Sequence, residues 1–171
     1  MATPDHDHLT AMWARHADDV YAYARRRIGP TSAPDVVAEV FTIAIAHPDR
    51  LPPDPLPWLY RTAWNVIANT RRADIRRTET WAALAREATA LSDDPGTVVS
   101  DRAALLEALK TLSEDDREAL LLTTWEGLDA RRAAHAAGCS TATFSVRLHR
   151  ARRRLERALD DTPIATEEVT P

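Results

Sequence analysis

Only four glycines interrupt the 171 residues, and no stretch alternates apolar and polar side chains over the length of a strand. A strand needs that two-residue alternation to bury one face, whereas a helix needs apolar residues three and four apart, and the second pattern runs through this chain. The spacing predicts helices over about 7–28, 34–47, 56–77, 79–91, 98–110, 114–125, 128–136 and 141–159. Gly29-Pro30 ends the first helix and Ser32 with Pro34 opens the second, which makes a helical hairpin. Pro48, Pro52, Pro53, Pro55 and Pro57 then stiffen a loop that no helix can cross. The expected fold is therefore all-α.

The segment from Leu91 to Asp101, LSDDPGTVVSD, mixes acid, proline and glycine and reads as the main boundary. Beyond it, Ser113 with Glu114, Asp115 and Asp116 opens a helix with a hydroxyl cap and first-turn acids, both favourable at that end. The small-residue turn Ala137-Gly138-Cys139 separates a short helix from a longer one, so the pair reads as a helix-turn-helix. Leu120, Leu121, Leu122 and Trp125 on the preceding helix are expected to pack against it.

The longer helix, Ser140 to Leu159, carries six arginines. Phe144, Leu148, Ala151, Leu155 and Leu159 form one apolar stripe, and Thr143, Arg147, Arg150, Arg154 and Arg157 gather on another side. One face can pack inward while the other meets phosphate. Ser140 is the expected N-cap, which sets the positive end of the helix near a duplex backbone.

A net charge of -4 hides a strong separation of charge. Eight arginines between Arg131 and Arg157 face only Glu156, and five between Arg61 and Arg77 face only Asp74. Two basic islands thus sit in an otherwise acidic chain, an arrangement that attracts a polyanion at two surfaces and repels it elsewhere. No apolar run approaches a membrane span, and MATPDHDHL lacks the basic start and apolar core of a secretion signal, so the cytoplasm is expected. One cysteine, Cys139, forms no intrachain disulfide. Asp5-His6-Asp7-His8 offers no enclosed metal site, and no glycine-rich phosphate loop or nucleophile with a partner base occurs. No cofactor, no metal and no catalysis by the chain are expected.

On the middle basic helix, Trp58, Thr62, Asn65, Asn69 and Arg72 share a face. Asparagine amides both donate and accept and can match base edges, and an indole can stack on an unpaired base. Arg71, Arg72, Arg76 and Arg77 come next, placed to hold a phosphate backbone. A solvated polar face above a core tryptophan fits the same residues.

The two islands, with their order and separation, resemble the extracytoplasmic function (ECF) sigma factors, the small two-domain initiation subunits of bacterial RNA polymerase. The resemblance covers residues of about 9–159 and rests on DVVAEVF at Asp35 to Phe41, WLYRTAWN at Trp58 to Asn65, LSEDDREALLL and WEGLDARRAAHAAGCS in the second half, and ATFSVRLHRARRRL in the last helix. It implies two small helical domains joined by a linker: a region 2 bundle over 1–80, a linker over 81–100, a region 4 helix-turn-helix over 101–160 and a polar tail over 161–171.

The same resemblance implies roles for particular residues. Asp35, Val36, Glu39 and Phe41 would bind core RNA polymerase. Trp58, Arg61, Thr62, Asn65, Asn69 and Arg72 would meet the downstream (minus 10) element as single strand. Ser140, Thr141, Thr143, Phe144, Arg147, Arg150 and Arg154 would meet the upstream (minus 35) element as duplex, and Arg153 and Arg157 would touch phosphate or solvent. An anti-sigma protein is a further expected partner. The chain departs from the family pattern at Asn69, where an Asp is usual, at Phe144 and Ser145 in the last helix, and at Arg131-Arg132-Ala133, which replaces an acidic Glu-Ile-Ala run. The changes at Asn69, Phe144 and Ser145 spare the fold and fall where base preference is set, whereas Arg131-Arg132-Ala133 adds charge that would either grip phosphate or simply be solvated. A stand-alone helix-turn-helix repressor or activator is the alternative; it normally requires a ligand domain or dimer interface, and residues 1–97 resemble neither.

Overall fold

Three amphipathic helices in the first half each carry an apolar stripe too wide to leave in water, and they satisfy one another by packing pairwise. The computed structural model describes the backbone of residues 6–82, 105 and 107–160, with side chains over 10–73, at 105 and over 107–160. These residues divide into two compact units. Among them there is no strand.

The first unit holds α1 (His6–Ile28), α2 (Ala33–Ala46), a single 3-10 turn (Pro48–Arg50) and α3 (Leu56–Ala82). Its core joins Val20 and Tyr23 of α1, Val37 and Val40 of α2, and Leu59, Tyr60 and Ile67 of α3. Gly29 ends α1 at φ 86°, a left-handed conformation that a side chain resists. Tyr23 stacks on Tyr60 with ring centroids 4.6 Å apart and planes 14° from parallel. Arg27 lays its guanidinium 3.4 Å over the Tyr23 ring. Arg71 then donates from Nη2 to the Arg27 carbonyl at 2.6 Å, satisfying an acceptor at the end of α1 that the helix itself cannot use. The basic end of α3 is thereby tied to α1.

The expected break at Thr78 is absent, because α3 runs unbroken through Ala82. No glycine or proline stands between Trp58 and Ala82, and neither Thr78 nor Glu79 stops the hydrogen-bond ladder. The rest of the helix expected over 79–91 lies outside the described residues, as do most of the linker, the tail over 161–171 and part of the helix over 98–110.

The second unit holds a helical turn over 107–110 and then α4 (Glu114–Thr124), α5 (Ala130–Ala137) and α6 (Thr141–Asp160). Ser113 caps α4 by accepting from the Asp116 amide at 3.2 Å. Arg117 donates to the carbonyls of Leu109 at 2.9 Å and Leu112 at 3.2 Å, which fastens the preceding turn to α4. Asp129 caps α5 by accepting from the amides of Arg131 and Arg132, both at 2.9 Å. Gly138 reverses the chain at φ 68°, so α6 can return across α4 and α5. Leu109, Leu112, Leu120 and Ala151 form a buried cluster with Leu105, Leu148 and Leu155 packed against it, while Phe144 is 0% exposed.

Trp125 departs from expectation. Leu120 and Leu122 are buried as predicted and Leu121 is half-buried, but Trp125 is exposed and borders an open apolar hollow with Leu121 and Leu155. Positions 121 and 125 lie one turn apart, on the side of α4 that α5 and α6 leave uncovered.

Candidate nucleic-acid interface

The N-terminus of α6 is built by its cap. Ser140 Oγ accepts from the Thr143 amide at 3.1 Å and lies 2.8 Å from Thr143 Oγ1, so the two hydroxyls hold each other at the exposed, positive end of the helix. Ser140, Thr141 and Thr143 are all exposed. Thr143, Val146, Arg147, Arg150 and Arg154 border one open groove together with Asp116. Sequence spacing thus brings the expected polar residues to one surface.

Phe144 is the correction on this helix. Its ring is fully buried, because it leads the stripe Phe144, Leu148, Ala151 and Leu155 that faces α4 and α5. A side chain in that stripe cannot also reach DNA, so Phe144 anchors the helix instead.

The arginines of α6 fall into two sets. Arg147 Nη2 sits 3.3 Å from Asp115 Oδ2, and Arg154 Nη1 pairs with Asp116 Oδ2. Asp116 is 6% exposed while Arg154 is exposed, so the guanidinium closes over a carboxylate that α4 buries. Arg150, Arg152, Arg153 and Arg157 are exposed, and no carboxylate among the described residues pairs with them. Asp115 and Asp116 are contributors that helix-start reasoning misses. Their place at the start of α4 accounts for their local role, but the partners lie 32 and 38 positions along the chain and only packing brings them near.

On α3 the expected set divides in a similar way. Asn65, Asn69 and Arg72 are exposed and succeed one another at helical spacing, and Arg72 donates to Asn69 Oδ1 at 2.7 Å and to the Ala68 carbonyl at 3.2 Å. Trp58 and Arg61 are half-buried. Thr62 is 9% exposed and commits its hydroxyl to the Trp58 carbonyl at 2.9 Å, which corrects its expected place on the surface. It lies at the edge of the stripe where Leu59, Ala63 and Val66 turn inward.

The acidic segment of α2 is amphipathic in the same strict sense. Asp35 and Glu39 are exposed one turn apart, whereas Val36 at 3% and Phe41 at 2% exposure belong to the core. Phe41 packs against Trp13 of α1 with ring centroids 4.5 Å apart. Val36 and Phe41 therefore orient the acidic face from beneath and offer little surface of their own.

Among the described residues no cluster of His, Cys, Asp and Glu is placed to hold a metal ion, and no helix is long and apolar enough to cross a membrane. Residues 12–77 match the family Sigma-70 region 2, and residues 102–155 match Sigma-70, region 4. The RNA polymerase sigma-E factor of Streptomyces avermitilis is 34% identical over 135 residues, covering 65% of this chain and 75% of the relative. The ECF RNA polymerase sigma factor SigL of Mycobacterium tuberculosis is 28% identical over 167 residues, covering 90% and 89%. Among solved structures, the sigma factor RpoE of Bartonella quintana, in complex with the anti-sigma factor NepR, superposes with a TM-score of 0.65 at 25% identity, covering 90% of this chain and 98% of that one. With a basic surface on each of two helical units, and both sigma regions matched in that order, the chain belongs to the ECF RNA polymerase sigma factors, which are not enzymes but bind core RNA polymerase and direct it to promoter DNA.

Proposed function

We propose that the two units divide promoter recognition between duplex and single strand, with residues 1–80 acting on the minus 10 element, 101–160 on the minus 35 element, 81–100 linking them and 161–171 forming a polar tail. The observation that carries this reading is the contrast in exposed chemistry. The groove-facing side of α6 offers hydroxyls and arginines around a helix N-terminus, suited to base edges and phosphates of a duplex. The exposed side of α3 offers two amides and an arginine beside a half-buried indole, suited to bases already out of the stack.

Within this reading Thr143, Arg147 and Arg150 meet the upstream bases. Trp58, Asn65 and Asn69 meet the separated strand, with Arg61 and Arg72 on its backbone. Asp35 and Glu39 meet core polymerase. The protein works in the cytoplasm with that enzyme, and an anti-sigma protein binds it, as NepR binds the relative RpoE. Run-off transcription with purified core polymerase on genomic fragments tests the division. Promoters selected by the parent should fail with Asn65→Ala at strand opening and with Arg147→Ala at closed-complex binding. Loss of the same step in both variants would contradict it. For the polymerase surface, an Asp35→Arg, Glu39→Arg double variant that still co-purifies with core enzyme as the parent does removes the assignment.

A further inference from the structure

The arginines on the groove-facing side of α6 are not equivalent, and a carboxylate from another helix makes the difference. Arg147 is 26% exposed at its side chain and Asp115 is 62% exposed, with one terminal nitrogen of the guanidinium 3.3 Å from one carboxylate oxygen. Asp115 thus attracts the guanidinium to one side by charge, and the remaining nitrogens of Arg147 have no partner among the described residues, so the donor fork is left open. Arg150, one turn further along the same groove, has no such carboxylate. A guanidinium is a planar fork that recognises a base edge by two parallel hydrogen bonds, and its long side chain must be immobilised to do so. An arginine held by no second helix keeps more rotamer freedom and divides its contacts between phosphate and base, so its reading of sequence is less sharp.

We propose that Asp115, on the first turn of α4, is a specificity-determining positioning residue: it orients Arg147 toward a base of the upstream element and keeps it off the phosphates. The proposal rests on the reading of α6 as the duplex-reading helix. Asp115 has the geometry for the task. It comes after Glu114 at the capped start of α4, where the helix dipole favours a negative side chain, and it is exposed, with no buried contact that would give it a folding role of its own. Its neighbour Asp116 makes the opposite arrangement, a buried carboxylate covered by Arg154, which braces α6 against α4. Two adjacent acids thus serve two functions. One fixes where the helix lies, and the other fixes how one of its side chains points.

The charge of Asp115 predicts a signature with two signs. Removing it frees Arg147 and also removes a negative charge that faces DNA, so discrimination between bases should fall while affinity for unrelated duplex rises or holds. A merely structural loss lowers both. The experiment uses the full chain bound to core RNA polymerase. The parent holoenzyme first selects its preferred upstream element from promoters randomised at that element, and the parent, Asp115→Asn, Asp115→Glu, Arg147→Ala and the Asp115→Asn, Arg147→Ala double variant are then compared on the same pool. Arg147→Ala should flatten preference at one position. Asp115→Asn should flatten the same position by about three- to tenfold, the double variant no further than Arg147→Ala, and Asp115→Glu should recover part of the preference. Thermal unfolding checks that Asp115→Asn retains the parent's stability. If Asp115→Asn keeps the parent profile at the position that Arg147→Ala flattens, or lowers affinity for every sequence alike, the positioning role is overturned while base reading by Arg147 stands. If Arg147→Ala flattens no position, base reading by Arg147 fails and the role of Asp115 fails with it.

Discussion

The two basic surfaces of this sigma factor treat their arginines differently. On α6, Arg147 and Arg154 are met by carboxylates of α4, so part of the helix's charge is neutralised before any DNA arrives. On α3, Arg71 reaches the carbonyl at the end of α1, and Arg72 is met by an amide oxygen and a backbone carbonyl, contacts that orient its side chain without cancelling its charge. A duplex has fixed grooves, and a helix that reads it gains from arginines locked in direction even at some loss of attraction. A separated strand has no fixed geometry, and a surface that holds it gains from undiminished charge beside groups that stack and pair. The difference lies in the acceptors the side chains meet, carboxylates of α4 for Arg147 and Arg154 and neutral oxygens of α3 itself for Arg72, not in the number of arginines.

The largest test of this contrast concerns the anchor beneath the arginine-bearing face of α6. Phe144→Ala should destabilise the second unit by about 3–5 kcal/mol, because a fully buried ring leaves a cavity that α4 and α5 cannot fill. Urea unfolding monitored through each unit should show the first unit unchanged. Next in size is Arg154→Ala, which leaves the Asp116 carboxylate buried without its partner and should cost about 1–3 kcal/mol. A double-mutant cycle with Asp116→Asn should recover part of that loss; full additivity of the two changes would mean that the pair contributes nothing across the helices.

Arg147→Ala should leave stability nearly intact, yet it should cost about 1–3 kcal/mol in binding to the selected upstream element and relax preference at one position. Binding isotherms on selected and scrambled duplexes separate this from a backbone clamp, for which both duplexes would weaken equally. On the other surface, Asn65→Ala should slow open-complex formation by about ten- to a hundredfold if its amide pairs with an unstacked base, while closed-complex affinity changes little. The smallest effect belongs to Arg153 and Arg157, both exposed and without a carboxylate partner among the described residues. Each substitution by Ala should reduce the slope of log K against log salt by roughly one wherever the side chain meets a phosphate, with no change in base preference. An unchanged slope would assign these two to solvent and narrow the duplex contact to the N-terminal half of α6.

The helical character of the chain and the positions of its turns arise from local rules, so they are legible in the sequence. Gly29 and Gly138 adopt left-handed backbone where a side chain is disfavoured, Ser113 and Ser140 accept from amides three residues on, and the stripe from Phe144 to Leu155 turns inward at helical spacing. Residues on the exposed faces, such as Asp35, Glu39, Asn65, Asn69, Thr143 and Arg150, are accessible to the same reasoning because a helix face is periodic. Sequence and structure part where a family motif spans a whole turn. Val36, Phe41, Thr62 and Phe144 stand inside motifs that also carry surface residues, and a linear motif does not distinguish the side that packs from the side that binds.

Tertiary structure alone decided the partners. Asp115 and Asp116 are adjacent in sequence and chemically alike, yet one is exposed beside Arg147 and the other buried beneath Arg154, because successive positions on a helix point about 100° apart and only the packing of α6 on α4 gives that angle a consequence. The stack of Tyr23 on Tyr60 and the bond from Arg71 to the end of α1 arise in the same way, between residues far apart in the chain. Local spacing determined which faces of the helices are polar, since backbone geometry repeats every turn. Which charges on those faces remain open to DNA depended on long-range packing, since an ion pair is made by proximity in space and leaves no periodic trace in the sequence.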